Sequence, residues 1–142
     1  MIRTQLTTAL TAAGCTRVIY ESLQMANITA DQILQTDIVG LILEPDSMTL
    51  DVKSNGVYEH YNPTVEIFKQ VKPEDIAANN EAVLQSTLNV AKLFINSLVR
   101  SKGFQKIGNT PITKITERRY DANVLGWSLL MDLQPITNQL NC

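Results

Sequence analysis

The feature that most constrains the fold is a run of alternating apolar residues near the C-terminus. Leucine, tryptophan or methionine occupies every second position from 125 to 133. A period of two is that of a β-strand with one buried face, because successive side chains on a strand point to opposite sides of the sheet. The run is too short and too regular in its alternation to be a membrane-spanning helix. It predicts a core strand, with Trp127 packed beneath a helix.

On the opposite face of this strand the sequence predicts polar side chains, namely Ser128, Asp132 and Gln134. Gly126 has no side chain to place there, which indicates a β-bulge or a close approach of a neighbouring backbone. Leu130 is an apolar exception on this face. We therefore expect Leu130 to be covered by other parts of the chain or to lie at a contact between subunits.

The second strong signal is a long amphipathic helix over residues 80–101. Its apolar side chains recur every three or four residues and form a stripe broader than a coiled-coil seam. Such a stripe needs a sheet or another helix to cover it. A shorter helix is predicted over residues 2–13, with Gly14 supplying its end.

The remaining regular segments predict β-strands. They cover residues 17–21, 38–43, 48–52, 57–61, 64–71 and 112–120. Asn55-Gly56 predicts a two-residue hairpin turn, and Pro63 marks a sheet edge, a bulge or a strand start because proline cannot donate to the ladder. This order of elements predicts a single α+β domain, residues 1–142. The expected sheet is mainly antiparallel with four to six strands, two helices on one face and a projecting β-hairpin.

Charge narrows the possible functions. Charged residues make up 18% of the 142 residues, and the net charge is −2. Proteins that bind nucleic acids usually show a basic face, because neutralising phosphates supplies most of their affinity. Here the basic residues are scattered, and the densest cluster, Lys114, Arg118 and Arg119, is interrupted by Glu117. We therefore expect no sequence-specific binding of nucleic acid.

The two cysteines, Cys15 and Cys142, have no partner at the spacing of metal ligands. The sequence leaves a disulfide between them open, and such low cysteine usage fits a reducing compartment. The N-terminus lacks the apolar core of a secretory signal, and no apolar run approaches the ~18 residues of a membrane span. These patterns predict a cytoplasmic site of synthesis and no membrane partner.

Chemistry-bearing motifs are scarce. His60 is the only histidine, and no serine or cysteine nucleophile motif accompanies it, so we interpret it as a surface or interface residue. The acidic residues Asp37, Glu44, Asp46 and Asp51 lack the spacing of a calcium loop, and the isolated glycines build no phosphate-binding loop. The sequence therefore predicts no catalytic residue, no cofactor and no metal. An active site assembled from distant residues stays open as an alternative.

The predicted hairpin carries bulky apolar side chains, and a two-stranded ribbon is marginal in water by itself. It therefore rests either on its own sheet or on an adjacent subunit. In the second case the candidate subunit-interface residues are Met48, Leu50, Val57, Tyr58 and Tyr61.

Five stretches together resemble a known family. They are Tyr20–Asn27, the strand 38–43 closed by Glu44-Pro45, the strand 65–68, the helix 80–101 and the ending 120–133. In order and pattern the chain resembles the tail terminator and head–tail completion (neck) proteins of tailed bacteriophages.

This resemblance implies a non-enzymatic α+β subunit that forms a homo-oligomeric ring, commonly a hexamer, assembled in the host cytoplasm and incorporated in the virion. The ring caps the tail tube, contacts the tail tube protein and neck or connector proteins, and lets DNA pass through it. The long, apolar hairpin departs from a plain connector. It leaves open an adaptor or cap subunit of a phage-tail-like injection machine, or another minor tail or neck protein.

Overall fold

The computed structural model describes residues 2–20, 38–43, 48–71, 81–115, 118–119 and 122–135. Two α-helices lie in these ranges, α1 (Ile2–Ala13) and α2 (Glu81–Ser101). The strands are β1 (Arg17–Tyr20), β2 (Ile38–Leu43), β3 (Thr49–Lys53), β4 (Gly56–His60), β5 (Thr64–Gln70), β6 (Phe104–Ile107), β7 (Ile112–Ile115), β8 (Arg118–Arg119), β9 (Ala122–Leu130) and β10 (Leu133–Pro135).

The main sheet has six strands. Its order is β1-β2-β5-β9-β7, and β8 pairs with β9 beyond the end of β7. Strands β1 and β2 are parallel, whereas the other neighbours are antiparallel. The predicted α+β architecture with a mainly antiparallel sheet is therefore confirmed.

Both helices pack against one face of this sheet. From α1 the core receives Leu6 and Leu10, each with no exposed surface. Helix α2 buries one stripe of side chains, as its periodicity predicts: Leu84, Thr87, Val90, Ala91, Phe94 and Leu98. The same cluster includes Val65, Ile67 and Leu129 from the two central strands. Helix burial against these strands is the main source of stability, since each fully buried aliphatic side chain contributes about 1.5–3 kcal/mol.

Helix α2 is long and apolar enough, by length and composition alone, to cross a membrane. Helices in the cores of globular proteins pass the same test. Here Phe94 and Leu98 of α2 lie in the main core with at most 1% of their surface exposed. The packing of α2 therefore accounts for its apolar composition.

Trp127 lies beneath α2, as its place in the alternating strand predicts. Its indole Nε1 donates a hydrogen bond to the carbonyl oxygen of Leu84, 2.9 Å away. The ring also packs on the cluster formed by Val71, Leu84 and Leu125. The indole thus fixes the first turns of α2 to the centre of the sheet.

The second face of the sheet is partly buried, which corrects the expectation that polar side chains line it. Six side chains on it are buried: Ile19, Val39, Leu41, Phe68, Ile115 and Val124. Leu130, on the same face, is 53% exposed, so the subunit does not cover it, and its place at a contact between subunits stays a prediction. Gln134, predicted to be exposed on this side of the C-terminal strand, is only 5% exposed. Alternation predicts the face of β9 that packs under the helices because large apolar residues repeat there. The second face of β9 mixes valine, glycine, serine and leucine.

The pairing of the two central strands continues past the main sheet. Tyr61 and Leu133 exchange backbone hydrogen bonds of 2.9 and 2.8 Å. This bridge lies three residues beyond the Thr64–Leu130 pair on both strands, so the register is unbroken. Between them the amide of Met131 donates to the carbonyl of Pro63 at 3.0 Å. Pro63 directly precedes β5, which confirms the predicted strand start.

Candidate functional site: the β3–β4 hairpin

Strands β3 and β4 form the predicted antiparallel hairpin, which directly precedes the Tyr61–Leu133 bridge. Lys53 pairs with Gly56, so the two-residue loop is Ser54-Asn55, one position earlier than the predicted Asn55-Gly56 turn. Gly56 has a φ of 148°, a conformation that favours glycine. Gly56 therefore closes the hairpin as the first residue of β4, where a bulkier residue would be strained.

One face of the hairpin is apolar and exposed. Met48, Leu50 and Val52 alternate along β3 and its approach, and they are 47%, 59% and 76% exposed. Val57 is half-buried and pairs with Val52 across the hairpin, so its side chain lies on the same face. We call Met48, Leu50, Val52 and Val57 the hairpin apolar face. Large apolar side chains grouped in this way on a surface are typical of interaction sites.

The structure thus divides the five candidate interface residues into a group on the hairpin apolar face and a buried group. Met48, Leu50 and Val57 belong to the hairpin apolar face. Tyr58 and Tyr61 are each only 6% exposed and pack inside the subunit. Tyr61 belongs to the main core, because the unbroken register places it on the same face as Val65 and opposite Leu133, which both lie in that core. Sequence reasoning omitted Val52, although the period of two along residues 48–52 includes it.

His60 lies on the opposite face of the hairpin, between two carboxylates. Its Nδ1 is 3.3 Å from Oδ1 of Asp132, and its Nε2 is 3.5 Å from Oδ2 of Asp51. Asp51 is also 3.5 Å from Nζ of Lys53, whose ammonium lies 5.3 Å from the ring centroid of Tyr58. The charged groups are partly exposed, so each pair contributes at most about 1 kcal/mol. The network links the hairpin to the corner between β9 and β10.

A cleft of about 390 Å³ opens beside this network, lined by Thr49, Leu50, Asp51, His60, Asn62 and Asp132. Both ring nitrogens of His60 face carboxylate oxygens, and a general base needs a ring nitrogen directed at the group it deprotonates. Among the described residues, no group of three or more His, Cys, Asp or Glu side chains is placed to hold a metal ion. The observed geometry fits a structural link. Asp37, Glu44 and Asp46 lie outside the described residues.

Cys15 is a free, buried thiol that contacts the sheet beneath α1. A Cβ atom at Gly40 would lie 3.2 Å from its Sγ, which shows how closely β2 approaches. Burial raises the pKa of this thiol from 9.0 to about 12. The thiol therefore stays protonated and poorly nucleophilic at neutral pH. Cys142 lies outside the described residues.

We expect Cys15 to make the protein lose stability in alkali. The unfolded chain releases the thiol proton above pH 9, whereas the folded chain holds it to about pH 12. Stability is therefore unaffected below pH 9 and falls by about 1.4 kcal/mol per pH unit above it. Urea unfolding between pH 8 and 10.5 measures this slope, with Cys15→Ala as the control because other groups also titrate there. Equal slopes in the two proteins would contradict the prediction.

Comparison with models of known protein families and with curated proteins found no match for this chain.

Proposed function

We propose that the chain is a structural, ring-forming subunit of the phage head–tail junction, which caps the tail tube and joins it to the head side. The proposal combines the resemblance in element order with one observation on the surface, the hairpin apolar face. Its exposed aliphatic side chains lie on a hairpin that is held in place by the Tyr61–Leu133 bridge and the His60 network. A fixed apolar projection is suited to contacting another subunit at a defined angle.

The geometry favours a role in assembly over one in catalysis. A ring acts through the shape of its faces, so the residues that matter are those that set the rotation between neighbours. Leu50 and Val52 are more than half exposed, and burying such side chains against a partner is favourable by about 25 cal/mol per Å² of apolar area. Partners in this proposal are further copies of the chain, the tail tube protein and a neck or connector protein.

Replacing Leu50 and Val52 together with aspartate should dissociate the ring. Two carboxylates in a buried apolar contact would remain unpaired, and we expect association to weaken by a hundredfold or more, on the order of 3 kcal/mol. Light scattering after gel filtration measures the mass, and negative-stain microscopy shows whether the wild-type protein forms rings. Because both positions are exposed, circular dichroism should show an unchanged fold.

Val99→Asp on α2 is the matched control. Val99 is 58% exposed, comparable with Leu50, but lies on a different element. The variant should keep the wild-type fold, and the dissociation constant of the hairpin contact should stay within about threefold of wild type. A wild-type protein that stays a single subunit at high concentration, and that leaves tail-tube polymerisation unchanged when added, would refute the proposed function. An adaptor of an injection machine would form rings yet fail to stop tube growth.

A further inference from the structure

We infer that the hairpin apolar face of one subunit packs into the groove between α1 and α2 of the next subunit, a contact that rests on the proposed ring. The groove has a volume of about 430 Å³ and lies on the outer side of the helix pair. Thr8 and Ala12 of α1 line one wall, and Ser97 and Arg100 of α2 line the other. Apolar carbon makes up most of its surface.

The sizes of the side chains are complementary. The groove is lined largely by short residues, threonine, alanine and serine, so the helix surfaces leave a depression between them. The hairpin apolar face offers three exposed long or branched side chains, those of Met48, Leu50 and Val52. Packing of large side chains into a row of small ones gives the close contact that interface cores require. Leu93 lies one helical turn from Ser97 and extends the apolar surface at one end of the groove.

The charges are complementary as well. Glu59 pairs with Leu50 in the hairpin ladder, so its carboxylate lies on the hairpin apolar face. Arg100 lines the groove, and no acidic residue does. Asp51 and Lys53 project from the opposite face of the hairpin and interact with each other. A hairpin seated in the groove therefore brings one acidic and one basic group to the same contact, which favours this pairing over hairpin against hairpin.

The inferred contact joins two different surfaces, so it is heterologous. Heterologous contacts repeat around an axis and close into a ring when the rotation between neighbours permits. Each subunit contributes one hairpin and one groove, so every copy in a closed ring buries both. A contact of hairpin against hairpin would instead end at a dimer.

Disulfide trapping tests the contact directly. The variant Leu50→Cys/Ala12→Cys, in a Cys142→Ser background, should form intersubunit disulfides under mild oxidation and give a ladder of covalent oligomers on a non-reducing gel. The matched control is Leu50→Cys/Gln85→Cys, whose second cysteine lines the separate groove beside Trp127. It should give no ladder. Dimers formed by Leu50→Cys alone would show hairpin against hairpin and overturn the inference.

A charge exchange tests the same contact by a second route. Arg100→Glu should weaken association by about tenfold, the effect of one interfacial charge pair, and adding Glu59→Arg should restore it. Rings seen by microscopy with neither cross-linking nor rescue would reject the groove and leave the proposed function intact. A wild-type protein that forms no ring would reject both.

Discussion

Replacing Gly126 with alanine should destabilise the protein by about 3 kcal/mol, the upper range for overpacking a core. A Cβ atom at this position would lie 2.6 Å from Cα of Phe68 and would collide with the carbonyl oxygen of Ile67. These are backbone groups of β5, and β5 is bonded to β2 on its other side. The central strands therefore cannot separate locally without breaking the ladder of the main sheet.

Urea denaturation followed by the fluorescence of Trp127, the only tryptophan, measures this loss. Ser128→Ala is the matched control, since Ser128 lies two positions along the same strand, on the same face, and is half-buried. Its cost should stay within about 0.5 kcal/mol. If Gly126→Ala also fell within that range, β5 could not approach β9 as closely as the structure places it.

The close approach at Gly126 belongs to the part of the fold that local sequence patterns can predict. Alternation over residues 125–133 predicts a strand packed under a helix, and a glycine inside such a strand indicates missing space beside it. The predicted bounds of α1 match the structure, and α2 ends at the predicted residue, Ser101. These signals succeed because strand and helix periods depend only on neighbouring residues.

The different burial of Tyr61 and Leu50 could not be predicted in the same way. Tyr61 lies in the main core and Leu50 is exposed, although both belong to the apolar set of the hairpin. The pairing of His60 with Asp132 spans 72 positions, and no local pattern relates residues that far apart. Strand β6 was not predicted, because a strand of four residues carries too little periodicity. The strand predicted to extend through Gln134 is divided in the structure into β9 and β10.

Burial of the second face of the sheet has a similar explanation. Two of its buried side chains belong to β2, and β1, β5, β7 and β9 contribute one each. Within each strand these side chains alternate with side chains that face the helices. A strand buried on both sides is therefore a short run of apolar residues in the sequence. Ile38–Leu43 gave that signal and is buried at its four central positions. In β9 glycine and serine interrupt the run, and the sequence therefore suggested a polar face.

Tyr61→Ser should have the largest effect on the stability of a single subunit. We expect it to lower the free energy of unfolding by about 3–5 kcal/mol, as truncation of other buried aromatic side chains does. Tyr61 is 6% exposed and packs in the main core, at the bridge that carries the central strands into the hairpin. Loss of the aromatic ring of Tyr61 leaves a cavity in the core and loosens the hairpin. Thermal unfolding in the Leu50→Asp/Val52→Asp background isolates the subunit, because assembly then contributes nothing to the midpoint.

Leu50→Ser provides the contrast for Tyr61→Ser, because Leu50 lies on the same hairpin but is 59% exposed. In an otherwise wild-type chain it should leave the spectrum of the folded subunit unchanged and reduce only the mass measured by light scattering. If Tyr61→Ser left the midpoint of thermal unfolding unchanged but reduced the oligomer mass, Tyr61 would have to lie at the contact between subunits. The expected result instead separates two roles within one hairpin: Tyr61 at its base stabilises the subunit, and Leu50 on its exposed face contacts the neighbouring subunit.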